Sequence, residues 1–285
     1  DDTQMMSAMF EEFVRGTVIP REEGIERGTE RIEDAIRRQA AEVGLLGMAV
    51  PEEYGGTNLP KIAKTLADMW AWYANGSFGS LIRVHGGVGT LPILNFGTDE
   101  QKQRYLRNLA SGEWIGAYAL TEAGAGSDSL SRTTSLKTTA VLKTDPVTGE
   151  DYWLLNGEKR FVTNGRFADV LTVFAQTADG RSVFLVDKEL PGVVFVRKGE
   201  AARGARGTVI ISSDYHKPGL KGSSTCDVTF EDVRIPTSRL LGQVGEGAKI
   251  GMAILNHGRT AVAAGSLGGG LCAFELALQY AQERR

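Results

Sequence analysis

The feature that most restricts what this chain can fold into is a double change of hydrophobic period along its 285 residues. Residues 1 to about 113 repeat their apolar side chains every three or four positions, as a helix face does. In "IERGTERIEDAIRRQAAEVGLLGMAV" the residues Ile32, Ile36, Ala40, Val43 and Leu46 fall on one stripe. From Trp114 the period changes. "DYWLLNGEKRFVTNG", "DVLTVFAQT", "RSVFLVD", "GVVFVRKG", "GTVIISS" and "CDVTFEDVRI" are short β-branched and aromatic runs parted by Gly, Asn, Asp or Pro, the mark of strands. After Pro236 the helical pattern returns and continues to Arg285. Helices, then strands, then helices argue against a dinucleotide-binding α/β fold, in which strands and helices alternate. The chain is expected to be α+β and multidomain. A helical N-terminal domain covers 1–113, an antiparallel β-barrel or sandwich covers 114–236, and 237–285 begin a second helical bundle.

Punctuation residues refine that outline. Thr98 with Gln101 three positions on predicts a capping box, and Gly112 a helix stop. Gly55-Gly56 after Pro51-Glu52-Glu53-Tyr54 predicts a tight turn between helices. Asn156-Gly157 predicts a two-residue hairpin, and 200–217 a solvated hairpin with His216 on the surface. Gly265, Gly268, Gly269 and Gly270 weaken the last helix by up to ~1 kcal/mol each, so close backbone packing is expected there.

Composition excludes several functions. A net charge of -3 and a pI near 5.8 leave no basic excess to neutralise nucleic-acid phosphates. No apolar run approaches the ~20 residues that cross a bilayer, so no transmembrane segment is expected. Cys226 and Cys272 lie 46 positions apart, which is no metal-ligand spacing, and they read as small thiols in a reducing compartment. His85, His216 and His257 each stand alone, so neither a zinc site nor a Ser-His-Asp hydrolase is supported and no metal is expected. The chain begins at Asp1 with no signal peptide and ends inside a helical pattern, the expectation for a piece cut from a longer chain.

One loop carries chemistry. In "AYALTEAGAGSDSLSRT" (117–133) three small residues, Gly124, Ala125 and Gly126, stand between an acid and Ser127-Asp128. The loop lacks the Lys-Ser/Thr of a Walker loop and the third Gly of a dinucleotide fingerprint. Small residues still let backbone amides approach an anion, and short hydroxyls donate without adding charge.

Six blocks, "GLLGMAVPEEYGG" (44–56), "FGTDEQKQRYL" (96–106), "AYALTEAGAGSD" (117–128), "NGEKRFVTNGRFAD" (156–169), "GLKGSSTCDVTFEDVRIP" (219–236) and "ILNHGR" (254–259), resemble the acyl-CoA dehydrogenase family in order and spacing. The similarity runs from about Ala35 to Arg285, and "MAILNHGRTAVAAG" looks most like the very-long-chain branch. The resemblance implies FAD and acyl-CoA as ligands and α,β-dehydrogenation of a fatty acyl-CoA to the trans-2-enoyl-CoA, as in fatty acid β-oxidation. Electrons would leave to an electron-transfer flavoprotein, from a homodimer or homotetramer. A cytoplasmic location is preferred, or the mitochondrial matrix if the source is eukaryotic. An acyl-CoA oxidase, another flavoenzyme of this fold, and a non-catalytic FAD- or acyl-CoA-binding scaffold remain open.

The resemblance also assigns residues. Tyr118, Leu120 and Thr121 match positions at the flavin's polar edge, and Gly126 and Ser127 positions near the FAD phosphates, Ser127 also meeting the CoA arm. Phe161, Val162 and Thr163 match the second flavin strand, with Phe161 where many relatives carry Trp and Thr163 near the hydride-accepting atom. Asn256, Gly258 and Arg259 match the substrate side, and Arg284 an Arg that reaches a neighbouring subunit's FAD. Gly258 fills one of the family's two base positions and cannot act as a base. The other position lies beyond Arg285, so no catalytic residue is expected within the chain, Glu122 included. Ala123 replaces a frequent Pro, which loosens the turn without removing a ligand group.

Overall fold

In a computed structural model, residues 2–30, 32, 36–131, 133–202 and 204–284 are described. The first third is helical: α1 (Asp2–Phe13), α2 (Glu22–Arg27), α3 (Arg37–Glu42), α4 (Lys61–Ala74), α5 (Gly76–Arg83), α6 (Leu91–Phe96) and α7 (Asp99–Ala110). A π-helical turn, Val84–Gly89, links α5 to α6. The expected stripe is inside, with Ile32, Ile36, Ala40 and Leu46 buried and Val43 half-buried. Thr98 accepts from the Gln101 amide and the Gln101 side chain accepts from the Thr98 amide, so α7 opens on the predicted capping box. It closes at Ser111, where Gly112 adopts a left-handed φ of 69°.

The strands are β1 (Gly116–Ala119), β2 (Thr139–Thr144), β3 (Asp151–Thr163), β4 (Val170–Thr177), β5 (Gly180–Asp187), β6 (Val193–Arg197), β7 (Gly207–Ile211), β8 (Thr225–Pro236) and β9 (Leu240–Leu241). They form one sheet in the order β6-β7-β8-β3-β2-β4-β5-β9, with β1 added beside β4. The sheet curls around a core that includes Trp153, Leu155, Val173, Phe184, Val228 and Phe230. It is an open, mixed sheet rather than the expected antiparallel barrel: β1–β4, β2–β4 and β6–β7 pair in parallel. A parallel partner must arrive by a crossover, and β1 comes from the helical region, which explains its direction. Strands β4 and β5 are buried on nearly every residue. One face meets the sheet's own core, and the other, with Val170, Phe174, Val183 and Leu185, meets Tyr105, Leu106 and Leu109 of α7.

Among the described residues, neither of two expected hairpins forms. Asn156-Gly157 lies inside β3, where Gly157 takes a φ of 142° at a bulge against β8. A Cβ there would sit 2.5 Å from the Thr138 backbone, just ahead of β2 on its other side. The segment 200–217 contains β7, an interior strand between β6 and β8 with Val209 and Ile211 buried. His216 is exposed, as expected.

The last element is one continuous helix, α8 (Gly247–Glu283), of 37 residues. Gly265 packs on Trp72 of α4, and Gly268 lies so close that an added Cβ would come within 2.0 Å of the Met69 carbonyl oxygen. Gly269 and Gly270 face open space, so close packing accounts for two of the four glycines. By length and apolarity α8 could cross a bilayer, which no run in the sequence suggested. Its glycine contacts with α4 give that part of the helix a protein neighbour.

His85, in the π-helical turn, fixes how β1 joins the helices. It is fully buried, its Nδ1 accepts from the Gly116 amide at 3.2 Å, and its Nε2 donates to the Leu109 carbonyl at 3.0 Å. One accepting and one donating nitrogen define the neutral ring. Burial lowers its pKa from 6.5 to about 4. The unfolded chain therefore takes up this proton at a higher pH than the folded chain, and stability present above pH 6.5 is lost as pH falls toward 4. Urea denaturation across that window should show a shallower loss for His85→Gln than for the unsubstituted chain. Equal slopes would remove His85 from the acid response.

Candidate functional site

The loop after β1 is held by a buried ion pair. Glu122 and Ala125 exchange backbone hydrogen bonds of 2.9 and 3.2 Å, closing a turn over Ala123-Gly124. The Glu122 side chain turns inward, and its Oε1 accepts from Lys159 Nζ at 2.7 Å, both side chains being almost wholly buried. Its two oxygens also accept from the backbone amides of Lys137 at 2.6 Å and Thr138 at 3.0 Å. Burial opposes ionisation of Glu122, but the Lys159 hydrogen bond and charge and these amides together hold its pKa below the usual value. Burial lowers Lys159 to about 8, with Glu122 opposing the fall. Lys159 also donates to the Leu120 carbonyl at 3.2 Å. Glu122 is thus a structural anchor.

One residue further, the Arg160 amide donates to the Thr121 carbonyl at 2.8 Å and draws the end of β3 alongside the loop. There β3 bulges between Lys159 and Val162, and Phe161 takes a left-handed φ of 57°. A non-glycine residue in that region costs roughly 1–3 kcal/mol and clusters at functional sites. The bulge leaves Phe161 56% exposed, its ring 5.1 Å from the Tyr215 ring. Val162 points the other way, into the sheet core.

These elements wall a cavity of about 690 Å³, within the range of small-molecule and cofactor sites. Tyr118, Leu120, Thr121, Gly126, Ser127, Phe161 and Thr163 line it on the sheet side, and Gly258 and Arg259 on α8. Most of the residues singled out in the sequence therefore converge. Three do not reach it. Val162 is in the core, Asn256 accepts from Arg259 Nη1 at 2.5 Å on the exposed side of α8, and Arg284 caps the far end of that helix. At 1.5 Å per residue Arg284 stands about 39 Å along the axis from Gly258, so it cannot serve this chain's own cavity. The Gly126 amide is already engaged by Asp128 Oδ1 at 3.1 Å.

The cavity suits a large, partly polar ligand. Tyr118 Oη is buried with no hydrogen-bond partner among the described residues, and burial raises its pKa, so the phenol stays a neutral donor. Among the described residues, added Cβ atoms at Gly126 and Gly258 would meet nothing within 4 Å, which leaves backbone accessible on two sides of the space. Sequence reasoning missed the α4–α5 wall, formed by Lys61, Lys64, Thr65, Asp68 and Arg83.

Comparison with known proteins agrees with this geometry. Family models match the acyl-CoA dehydrogenase N-terminal domain over residues 1–113 and the middle domain over 117–233. An "Acyl-CoA dehydrogenase" of Bacillus subtilis is 38% identical over 285 residues, 98% of this chain and 68% of its own. A second Bacillus subtilis relative, "Probable acyl-CoA dehydrogenase", is 40% identical over the whole chain, which spans 44% of that relative's length. The crystal structure of an acyl-CoA dehydrogenase complexed with FAD from Bacillus anthracis superposes with a TM-score of 0.87 at 38% identity, covering 100% of this chain and 44% of that one. The chain belongs to the acyl-CoA dehydrogenase family. The human short-chain and bovine very-long-chain enzymes are both 36% identical, over 85% and 84% of this chain, so overall identity does not distinguish between those branches.

If the Glu122–Lys159 pair anchors the loop, Lys159→Met strands a buried carboxylate and destabilises the protein by about 3–5 kcal/mol. Adding Glu122→Gln should recover part of that loss in chemical denaturation. A Lys159→Met chain as stable as the parent would show that the pair is dispensable.

Proposed function

We propose that the protein containing this chain is a flavoenzyme that removes the α- and β-hydrogens of a fatty acyl-CoA, giving the trans-2-enoyl-CoA, and passes the electrons to an electron-transfer flavoprotein. The observation that supports it most directly is the convergence, on one cavity, of the β1 loop, the bulged end of β3 and the Gly258–Arg259 segment of α8. FAD, when bound, supplies the hydride-accepting chemistry.

This chain's residues bind and orient. Tyr118 and Thr121 offer hydroxyls on the sheet side, Phe161 offers an aromatic face, and Thr163 a short donor beside it. Leu120 keeps its carbonyl committed to Lys159, which fixes the backbone of the strand end. Ser127 and Arg259 contribute a hydroxyl and a cation toward the acyl-CoA. Asn256, bonded to Arg259, positions that cation. Among the described cavity residues only Asp68 carries a carboxylate, and it stands on the α4 wall. Following the family resemblance, we assign the proton-abstracting base to a residue outside these 285, and Arg284 to the cofactor of a second subunit.

Two experiments test this reading. The protein at its full encoded length should purify yellow and release FAD on denaturation. Colourless protein that takes up no added FAD would refute the assignment. In the same protein Thr163→Val, which keeps the β-branched shape, should slow reduction by acyl-CoA by ~10²-fold or more, the typical cost of removing a preorganised donor. Reduction at the parent rate would place Thr163 away from the reacting atoms.

A further inference from the structure

The α4–α5 wall of the cavity has no task in that reading. Along α4, Lys61, Lys64, Thr65 and Asp68 succeed one another at helical spacing and face the cavity. The opposite stripe, with Ala63, Ala67, Trp70, Ala71 and Ala74, is buried in the helical layer. Arg83, the last residue of α5, completes the wall. Asp68 is only 6% exposed, and neither its Oδ1 nor Arg83 Nε has a hydrogen-bond partner among the described residues. The Arg83 guanidinium lies 5.7 Å from the centre of the Trp72 ring. Burial pushes the Asp68 pKa up to about 7 against the opposing charge of Arg83, and lowers the pKa values of Arg83 and Lys64.

A plain alkyl tail in this space would exclude water from the wall and leave its charged groups unpaired, a state buried ions avoid. Lys61, at one end of the stripe, is exposed, while Lys64 and Arg83 are half-buried, so the enclosed part of the wall carries two cations and one carboxyl, and the group it lacks is an anion. We propose, building on the acyl-CoA reading, that the α4–α5 wall receives the distal end of the acyl chain and selects one that terminates in a carboxylate, held by Arg83 and Lys64. Asp68 joins the same set: when neutral it donates to a ligand oxygen, and when ionised it balances one cation. The phosphates of CoA are a second source of negative charge, and the experiment must separate the two.

The test uses the protein at full encoded length, loaded with FAD, and two acyl-CoAs of equal chain length, one methyl-ended and one with an ω-carboxylate. Turnover is followed with a dye acceptor. Binding of the corresponding non-oxidisable thioether analogues is followed by calorimetry. Both readouts should favour the ω-carboxylate by about 10- to 100-fold, as expected for hydrogen bonds to a charged group. Arg83→Met should abolish the preference and Arg83→Lys restore part of it, with Lys64→Met as a second probe should Arg83→Met fail to fold. Equal or better use of the methyl-ended compound by the parent protein overturns the proposal without touching the dehydrogenase reading. So does an Arg83→Met loss that is the same for both thioesters and for free CoA, because the wall then holds a phosphate. Failure to bind either compound refutes the acyl-CoA reading, and this proposal with it.

Discussion

The sheet side of the cavity depends on two opposite charges placed where water does not reach. Taking Glu122 and Lys159 out of solvent costs several kcal/mol per ion, recovered only if the remaining hydrogen-bonding capacity is filled. Here it is filled by main chain: the amides of Lys137 and Thr138 on the carboxylate, and the Leu120 carbonyl on the ammonium. The pair and these partners belong to three separate stretches, the residues after β1, the lead into β2, and β3, which carries Lys159. The pair therefore sets where the stretches meet. Leu120, Thr121, Arg160 and Phe161 are all within two positions of one of its members.

The second constraint is the joint between the helical layer and the sheet. Tyr105 donates to Asp187 at 2.5 Å, and Arg239 lies 3.3 Å from the same buried carboxylate. Gln101, whose side-chain oxygen caps α7, donates through its nitrogen to the Ser238 and Leu240 carbonyls, both at 2.8 Å. One residue thus stabilises a helix start and docks that helix on the sheet. Together with His85 at β1, these contacts make the cavity a product of the joint rather than of either layer.

The period changes and the Thr98 capping box were legible in the sequence because both are local: they follow from which face of a helix or strand is buried. The small-residue loop and the Phe161–Thr163 strand were legible as motifs. What was not legible is tertiary. Asn156-Gly157 has turn chemistry, yet Asn156 exchanges hydrogen bonds with Asp232 of β8 while β2 pairs on the other side of β3. With partners on both sides the chain runs straight through a bulge. The 200–217 segment looked solvated, but β6 and β8 enclose its strand. The polar stripe of α4 was also present in the sequence, as Lys61, Lys64, Thr65 and Asp68. In sequence such a stripe cannot be told from a helix face turned to water; only the arrival of Arg83 and α8 makes it an interior wall.

The contact of Gly268 with the Met69 carbonyl has a geometric consequence for α8. Backbone against backbone leaves no compliant side chain between the two helices, so the rotation of α8 about its own axis is indexed there. Gly258 precedes Gly265 by seven residues, about 20° short of two full turns. The cavity-facing segment therefore inherits its azimuth from the α4 contact. With Cα atoms about 2.3 Å from the axis, a 20° rotation carries Gly258 sideways by about 0.8 Å. The orientation of the cavity-facing segment is thus set by a contact more than two turns away, at a residue that does not line the cavity.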